Sequence, residues 1–231
     1  MVQHLKPNPA IIYPDSDGQP MSDNTKQFRW IVVIKENLEL LFADRLDVFV
    51  AGDLLWYPVE GDNKIRQAPD AMVIFGRPKG DRGSYRQWEE DQIAPQVVFE
   101  IVSPGDRLRK MFNKFKFYEH YGVEEYYVYD PDTNELIGWL RSGNVFEVVE
   151  EMNGWVSPRL EIRFQLTSDT LEIYHPNGQR FLTFVEIAQL REQETQRAEQ
   201  ERQRAEREQR RAERLAEQLR ALGVEPDMDD E

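Results

Sequence analysis

The side chains in this chain best suited to chemistry are carboxylates. Glu100 lies in "PQVVFEIVSPGD", flanked by Val97, Val98, Phe99, Ile101 and Val102. A short β-branched and aromatic run bounded by prolines and a glycine reads as a buried strand. Strand side chains alternate, so Val98, Glu100 and Val102 share one face and Val97, Phe99 and Ile101 the other. Burying an ion between two apolar faces costs several kcal/mol unless something pairs with it. Asp70 follows Pro69 and opens a second strand-like run, "AMVIF". If the two strands pair antiparallel across the loop from Gly76 to Ala94, Asp70 and Glu100 meet at one end of the sheet. Adjacent carboxylates repel, and a divalent cation relieves the repulsion. Mg²⁺ (or Mn²⁺) suits two carboxylates because it keeps several of its waters. The carbonyl of Ile101 would supply a further oxygen. Taken singly, Asp70 also reads as a turn residue after proline, and Glu100 as half of a structural salt bridge.

Basic residues follow at once: Arg107, Arg109, Lys110, Lys114 and Lys116 form the densest basic patch in the body of the chain. All but Arg107 fall in "RKMFNKFKFYEHYG", a helical pattern closed by Gly122. Met111, Phe115 and Tyr118 define its buried face, with Lys114 on the border of that face. An amine there, near two carboxylates, could orient or activate a metal-bound water. Arg107, Arg109 and Lys110 would grip flanking phosphates; the alternative is a solvated helix face with snorkelling stems. An earlier helix follows Ser22-Asp23-Asn24, a capping sequence, and runs from Thr25 to about Phe42. Its apolar face is Trp30, Ile34, Leu38 and Leu41. Gln27 shares that face, either as hydrogen-bonded structure or as lining of a substrate site.

Other chemistries lack their residues. His4, His120 and His175 have no metal-ligand spacing, and the chain has no cysteine. "GRPKGDRGS" is glycine-rich but lacks the spacing of a phosphate-cradling loop. The net charge is −14. Residues 191–220 carry nine Arg and eight Glu, and residues 221–231 five acids and no base, which leaves −10 for residues 1–190. Such a body cannot bind nucleic acid over its whole surface, so any such site must rest on the local basic patch. "WIVVI" is far too short to span a bilayer, and the proline-rich start has no export signal. A cytoplasmic protein with no membrane association is expected.

The remaining elements position these groups. "DVFVAGDLLWYP" reads as a strand bent at Gly52, and "EEYYVYDPDTNELIGWL" as strand, turn, strand. "NVFEVVEE" continues the meander, and "LEIYHPNGQRFLTF" reads as a hairpin around Asn-Gly. The fold class is α/β (α+β), with a mixed or mostly antiparallel sheet. Four regions are expected: a loosely held lead at 1–22, a globular domain at 23–185, a charged helix at 186–222 and an acidic tail at 223–231. In the charged helix Ala198, Ala205, Ala212 and Leu219 recur every seven residues, and Glu201, Glu208, Leu215 and Leu222 lie three further on. This pattern fits either a single charged helix of roughly 55 Å or a weak coiled coil that joins two copies as a homodimer.

Pro69-Asp70 before a strand, then a strand glutamate, then a basic residue, resembles the PD-(D/E)XK nuclease superfamily. "FEIVSP" and "KFKFYEHYGVEEYYVYDPD" together resemble more closely its Uma-type restriction endonuclease family. The likeness extends from about Met21 to Asp227. It implies a restriction-endonuclease-like fold, a mixed central sheet flanked by helices, with Asp70 and Glu100 as the metal-binding carboxylates. The superfamily lysine usually stands two positions after the glutamate; here that residue is Val102, and the resemblance places the amine at Lys114 instead. The implied activity is Mg²⁺-dependent hydrolysis of DNA phosphodiester bonds. The rival reading is a non-cutting interaction module that acts through its helical tail.

Overall fold

The computed structural model describes residues 11–18, 20–103, 105 and 108–221. The chain divides into two units, residues 1–181 and 182–231. The boundary falls a few residues before the expected 185.

The first unit is built on a six-stranded mixed sheet. Its strands are β1 (Val48–Ala51), β3 (Ala71–Phe75), β5 (Val97–Ile101), β6 (Glu125–Asp130), β7 (Glu135–Ser142) and β8 (Val145–Val148), which lie side by side in that order. Only β5 and β6 are parallel; every other neighbouring pair in the sheet is antiparallel. A parallel pair needs a long crossover, and α2 (Leu108–His120) supplies it. The helix ends as expected: Gly122 takes φ +92°, and the Val123 N–H returns to the Tyr118 carbonyl at 3.1 Å. That left-handed turn suits glycine at a helix C-terminus.

Helix α1 (Thr25–Leu41) is capped by Asn24, whose side chain accepts from the Gln27 N–H. Its apolar residues Ile31, Ile34 and Leu38 join Val50, Ala71, Val73, Val97, Phe99 and Ile101 in one core. The alternate residues of the same strands, Phe49, Met72, Ile74, Val98, Tyr126 and Val128, form a second core with Tyr118, Met111 and Phe115 of α2. The sheet is therefore covered on both faces, which is why β3 and β5 read as continuous apolar runs.

Smaller pieces brace this frame. The bend after β1 leads to β2 (Trp56–Tyr57), which pairs parallel with β4 (Tyr85–Arg86), a strand the sequence did not signal. The glycine-rich basic loop is structural: Arg77 and Arg82 converge on Glu90 at 2.8 and 2.7 Å, and the Arg82 guanidinium lies 3.9 Å from the centre of the Phe49 ring. The expected hairpin around Asn177-Gly178 is only half formed. Its first strand, β10 (Leu171–Tyr174), takes its ladder from β9 (Arg163–Leu166), and the return arm contributes a single bridge from Arg180 to Tyr174. Apolar Leu171 and Ile173 need a partner that reaches the core, and β9 brings Phe164. Residues 11–18, expected to be loose, are held by side chains: the Tyr57 hydroxyl donates to the Pro14 carbonyl at 2.7 Å, and the Tyr13 ring meets Tyr57 and Trp88.

The second unit contains α3 (Phe184–Ala221). Thr183 and Glu186 form a reciprocal cap: the Thr183 N–H donates to the Glu186 carboxylate at 2.8 Å and the Glu186 N–H to the Thr183 hydroxyl at 3.2 Å. Leu222 and the acidic tail at 223–231 lie outside the described residues. No helix among the described residues is long and apolar enough to cross a membrane.

Candidate functional site

Register alone brings the two carboxylates together. Ala71 pairs with Phe99 and Met72 with Val98, so one further step sets Asp70 opposite Glu100. Both side chains project from the sheet face that α2 covers. Asp70 is 7% exposed and Glu100 2%. Asp70 Oδ2 accepts the Ile101 N–H at 2.6 Å, which ties the start of β3 to the end of β5.

Glu100 takes its compensation from α2. Lys114 Nζ donates to Oε2 at 2.6 Å, and the Tyr118 hydroxyl donates to Oε1 at 2.5 Å. Lys114 and Tyr118 are four residues apart, one above the other on the same helical face. Both oxygens of a buried carboxylate are thus engaged by a single helix. Tyr118 is itself fixed: it is fully buried, with its ring parallel to Trp56 at 6.3 Å. Burial and the adjacent Glu100 hold its phenol well above the usual range, so it stays a donor. The sequence placed Tyr118 on the buried face without assigning its hydroxyl to Glu100; the four-residue spacing from Lys114 was the available signal.

A third acid stands nearby. Asp53 adopts φ +49°, a conformation that aspartate tolerates better than most residues, and its N–H donates to the Pro69 carbonyl at 3.0 Å. Preceding it, Gly52 lies so close that a Cβ would sit 3.3 Å from the Asp70 carbonyl oxygen. Burial pushes the Asp53 carboxyl up, the Asp17 charge adds to this, Lys114 opposes it, and Glu100 raises it further. The bend at Gly52 was legible; the proximity of Asp53 to the other two acids was not, because it depends on how the loop returns to Pro69.

Beside Lys114 opens a cleft of 360 Å³ lined by Gln67, Gly105, Arg109, Lys110, Asn113 and Lys114. Arg109 and Lys110 therefore share a concave surface with the amine that contacts Glu100. Arg107 lies outside the described residues. Gln27, read as hydrogen-bonded structure or as lining of a substrate site, has both ends of its amide engaged within the fold. It is 7% exposed, its Nε2 donates to the Ile101 carbonyl at 2.9 Å, and its Oε1 accepts the Asp23 N–H at 2.8 Å. The Ile101 carbonyl, expected to face a metal, thus already accepts one hydrogen bond and keeps a second lone pair. Val102 lines a second, largely apolar groove with Leu108, Met111, Phe112, Phe115 and Trp139, where Asp130 and Glu135 also stand.

The donor set fits a small hard cation. Among the described residues no three His, Cys, Asp or Glu side chains converge as a metal cage. Two carboxylates and a backbone carbonyl are hard oxygen donors of the kind Mg²⁺ takes while it retains water.

The ion pair yields a stability prediction. Lys114→Met should cost about 3 kcal/mol, because it strands a buried carboxylate. Adding Glu100→Gln should recover much of that loss, a coupling readable from urea unfolding midpoints in a double-mutant cycle. Additive losses would mean that the pair carries no net interaction.

Comparison with known proteins gives the family. Residues 15–206 match the Uma2 family, described as "Putative restriction endonuclease". Among solved structures, "a putative nuclease belonging to DUF820 from Anabaena variabilis ATCC 29413" aligns with a TM-score of 0.44 and 17% identity, over 58% of this chain and 72% of that one. A comparison with curated proteins finds no match. With most of its length matched, this chain belongs to the Uma2 family.

Proposed function

We propose that this protein is a Mg²⁺-dependent endonuclease that hydrolyses DNA phosphodiester bonds. The observation that carries this reading is the meeting of Asp70, Glu100 and Lys114 at one sheet end, beside a basic cleft. Asp70 and Glu100 would hold the cation, with the second lone pair of the Ile101 carbonyl available to it. Bound there, Mg²⁺ (or Mn²⁺) supplies Lewis acidity to the scissile phosphate and a more acidic water. Lys114 donates to a carboxylate, so it works as an ammonium: it offsets negative charge on the phosphate and is not positioned as a base. Arg109 and Lys110 contact flanking phosphates, as would Arg107. Tyr118 keeps the Glu100 carboxylate in one orientation. A DNA substrate and a cysteine-free chain agree with a cytoplasmic location.

In a nicking assay on supercoiled plasmid, Mg²⁺ should support cleavage and EDTA abolish it. Asp70→Asn and Glu100→Gln should fall to background, and Lys114→Met should lose about 10²–10³-fold. Full cleavage by either carboxylate variant would exclude this site as the catalytic centre, and no cleavage by any protein would favour the interaction-module reading.

The helical unit would join two copies. Among the described residues α3 buries none, yet Leu215 is 50% exposed and Leu219 36%. Two such helices side by side would cover these leucines and stack Ala198, Ala205 and Ala212 along a weak seam. Sedimentation should show a dimer in the wild type and a monomer in Leu215→Asp/Leu219→Asp; equal masses would remove this role from the helix.

A further inference from the structure

Lys114 belongs to both halves of the site. Its Nζ donates to Glu100 Oε2, and the same side chain lines the basic cleft with Arg109, Lys110 and Asn113. It is 13% exposed, against 2% for its partner, so it lies at the border between the carboxylate pair and the open cleft.

We infer that Lys114 couples the two ligands of the site: a phosphodiester in the cleft and a divalent cation at Glu100 bind cooperatively through it. This rests on the reading of Asp70 and Glu100 as the cation site. Without ligands, the ammonium neutralises Glu100 in apolar surroundings, where an unpaired carboxylate would be costly. A cation approaching Oε2 therefore competes with a positive charge already in contact with it. The lysine stem is long and rotatable, and an anion in the cleft offers the ammonium a negatively charged partner on the cleft side. Moving toward that anion withdraws the competing charge from Oε2. Tyr118 stays on Oε1 meanwhile, so the carboxylate keeps its orientation while the lysine changes partners. Binding free energies are reciprocal, so the cation equally favours transfer of the ammonium to the phosphodiester. The protein is thus poor at holding metal alone and better at holding it with substrate.

Mn²⁺ binding, followed through the electron paramagnetic resonance signal of the free ion, tests this with no turnover needed. The probe is a thymidine dinucleotide joined by a phosphorothioate, which resists hydrolysis. In the wild type the dinucleotide should tighten Mn²⁺ binding about tenfold, within the usual range for coupled sites. Lys114→Met should bind Mn²⁺ about tenfold more tightly than wild type with no dinucleotide present, and should gain less from adding it. Direct attraction between bound anion and cation acts in both proteins, so the difference between their gains is the signature. Lys114→Gln, neutral yet still able to donate to Glu100, should shift the same way and serves if the methionine variant does not fold. The inference is overturned if both neutral variants bind Mn²⁺ no more tightly than wild type, or if the dinucleotide helps all three proteins equally. Glu100→Gln separates the two claims. If it binds Mn²⁺ as well as wild type, the cation site itself is misplaced and the coupling falls with it; if it loses binding while the lysine variants behave as wild type, only the coupling fails.

Discussion

A carboxylate without water needs a cation, and the site is organised around that need at Glu100. The β5 register puts this side chain at 2% exposure, opposite Val128 of β6 and on the sheet face that α2 covers. An unpaired ion there would cost more than most single side chains contribute to stability. Helix α2 removes the cost with an ammonium and a phenol spaced one turn apart. The same contacts tie the β5–β6 crossover onto the sheet, so the groups assigned to chemistry are also part of what holds the helix in place. The structural salt bridge and the proposed catalytic site, alternatives at the level of sequence, use one set of atoms.

This dual use shapes how the site can work. A nuclease must gather a divalent cation and a polyanion, yet the body of the chain is acidic and gains little from general attraction. Positive charge is concentrated on the first turns of α2, facing one cleft. Under the proposed coupling, a lysine shared between carboxylate and cleft would make the assembled state depend on both ligands and limit the time a metal spends at the site without DNA. On α2 the lysine both contacts Glu100 and lines the basic cleft.

Much of this was legible in the sequence because it follows from period and punctuation. Alternation placed Glu100 and Val98 on one face, and the run from Pro69 to Phe75 set Asp70 at a strand mouth, so antiparallel pairing was enough to bring the acids together. Helical spacing put Lys114 beside Met111, Phe115 and Tyr118, and Gly122 marked the stop. What escaped depends on contacts between distant segments. The Asn-Gly hairpin gave way because β9 offered Phe164 to the core. Gln27 was visible as a polar residue on a buried face, but its partner, the Ile101 carbonyl, is 74 residues away. Asp53 joins the site through a loop that returns to Pro69, which no local pattern encodes.

The central claim is that Asp70 and Glu100 share one divalent cation. Anomalous scattering from crystals soaked in Mn²⁺ tests it most directly. The account predicts a single strong peak with oxygens of both carboxylates at about 2.1–2.2 Å, near the spacing of small hard cations, and with Lys114 drawn away from Glu100 when a phosphodiester is also present. A soaked crystal with no peak between the two acids, or with manganese held elsewhere, would contradict it.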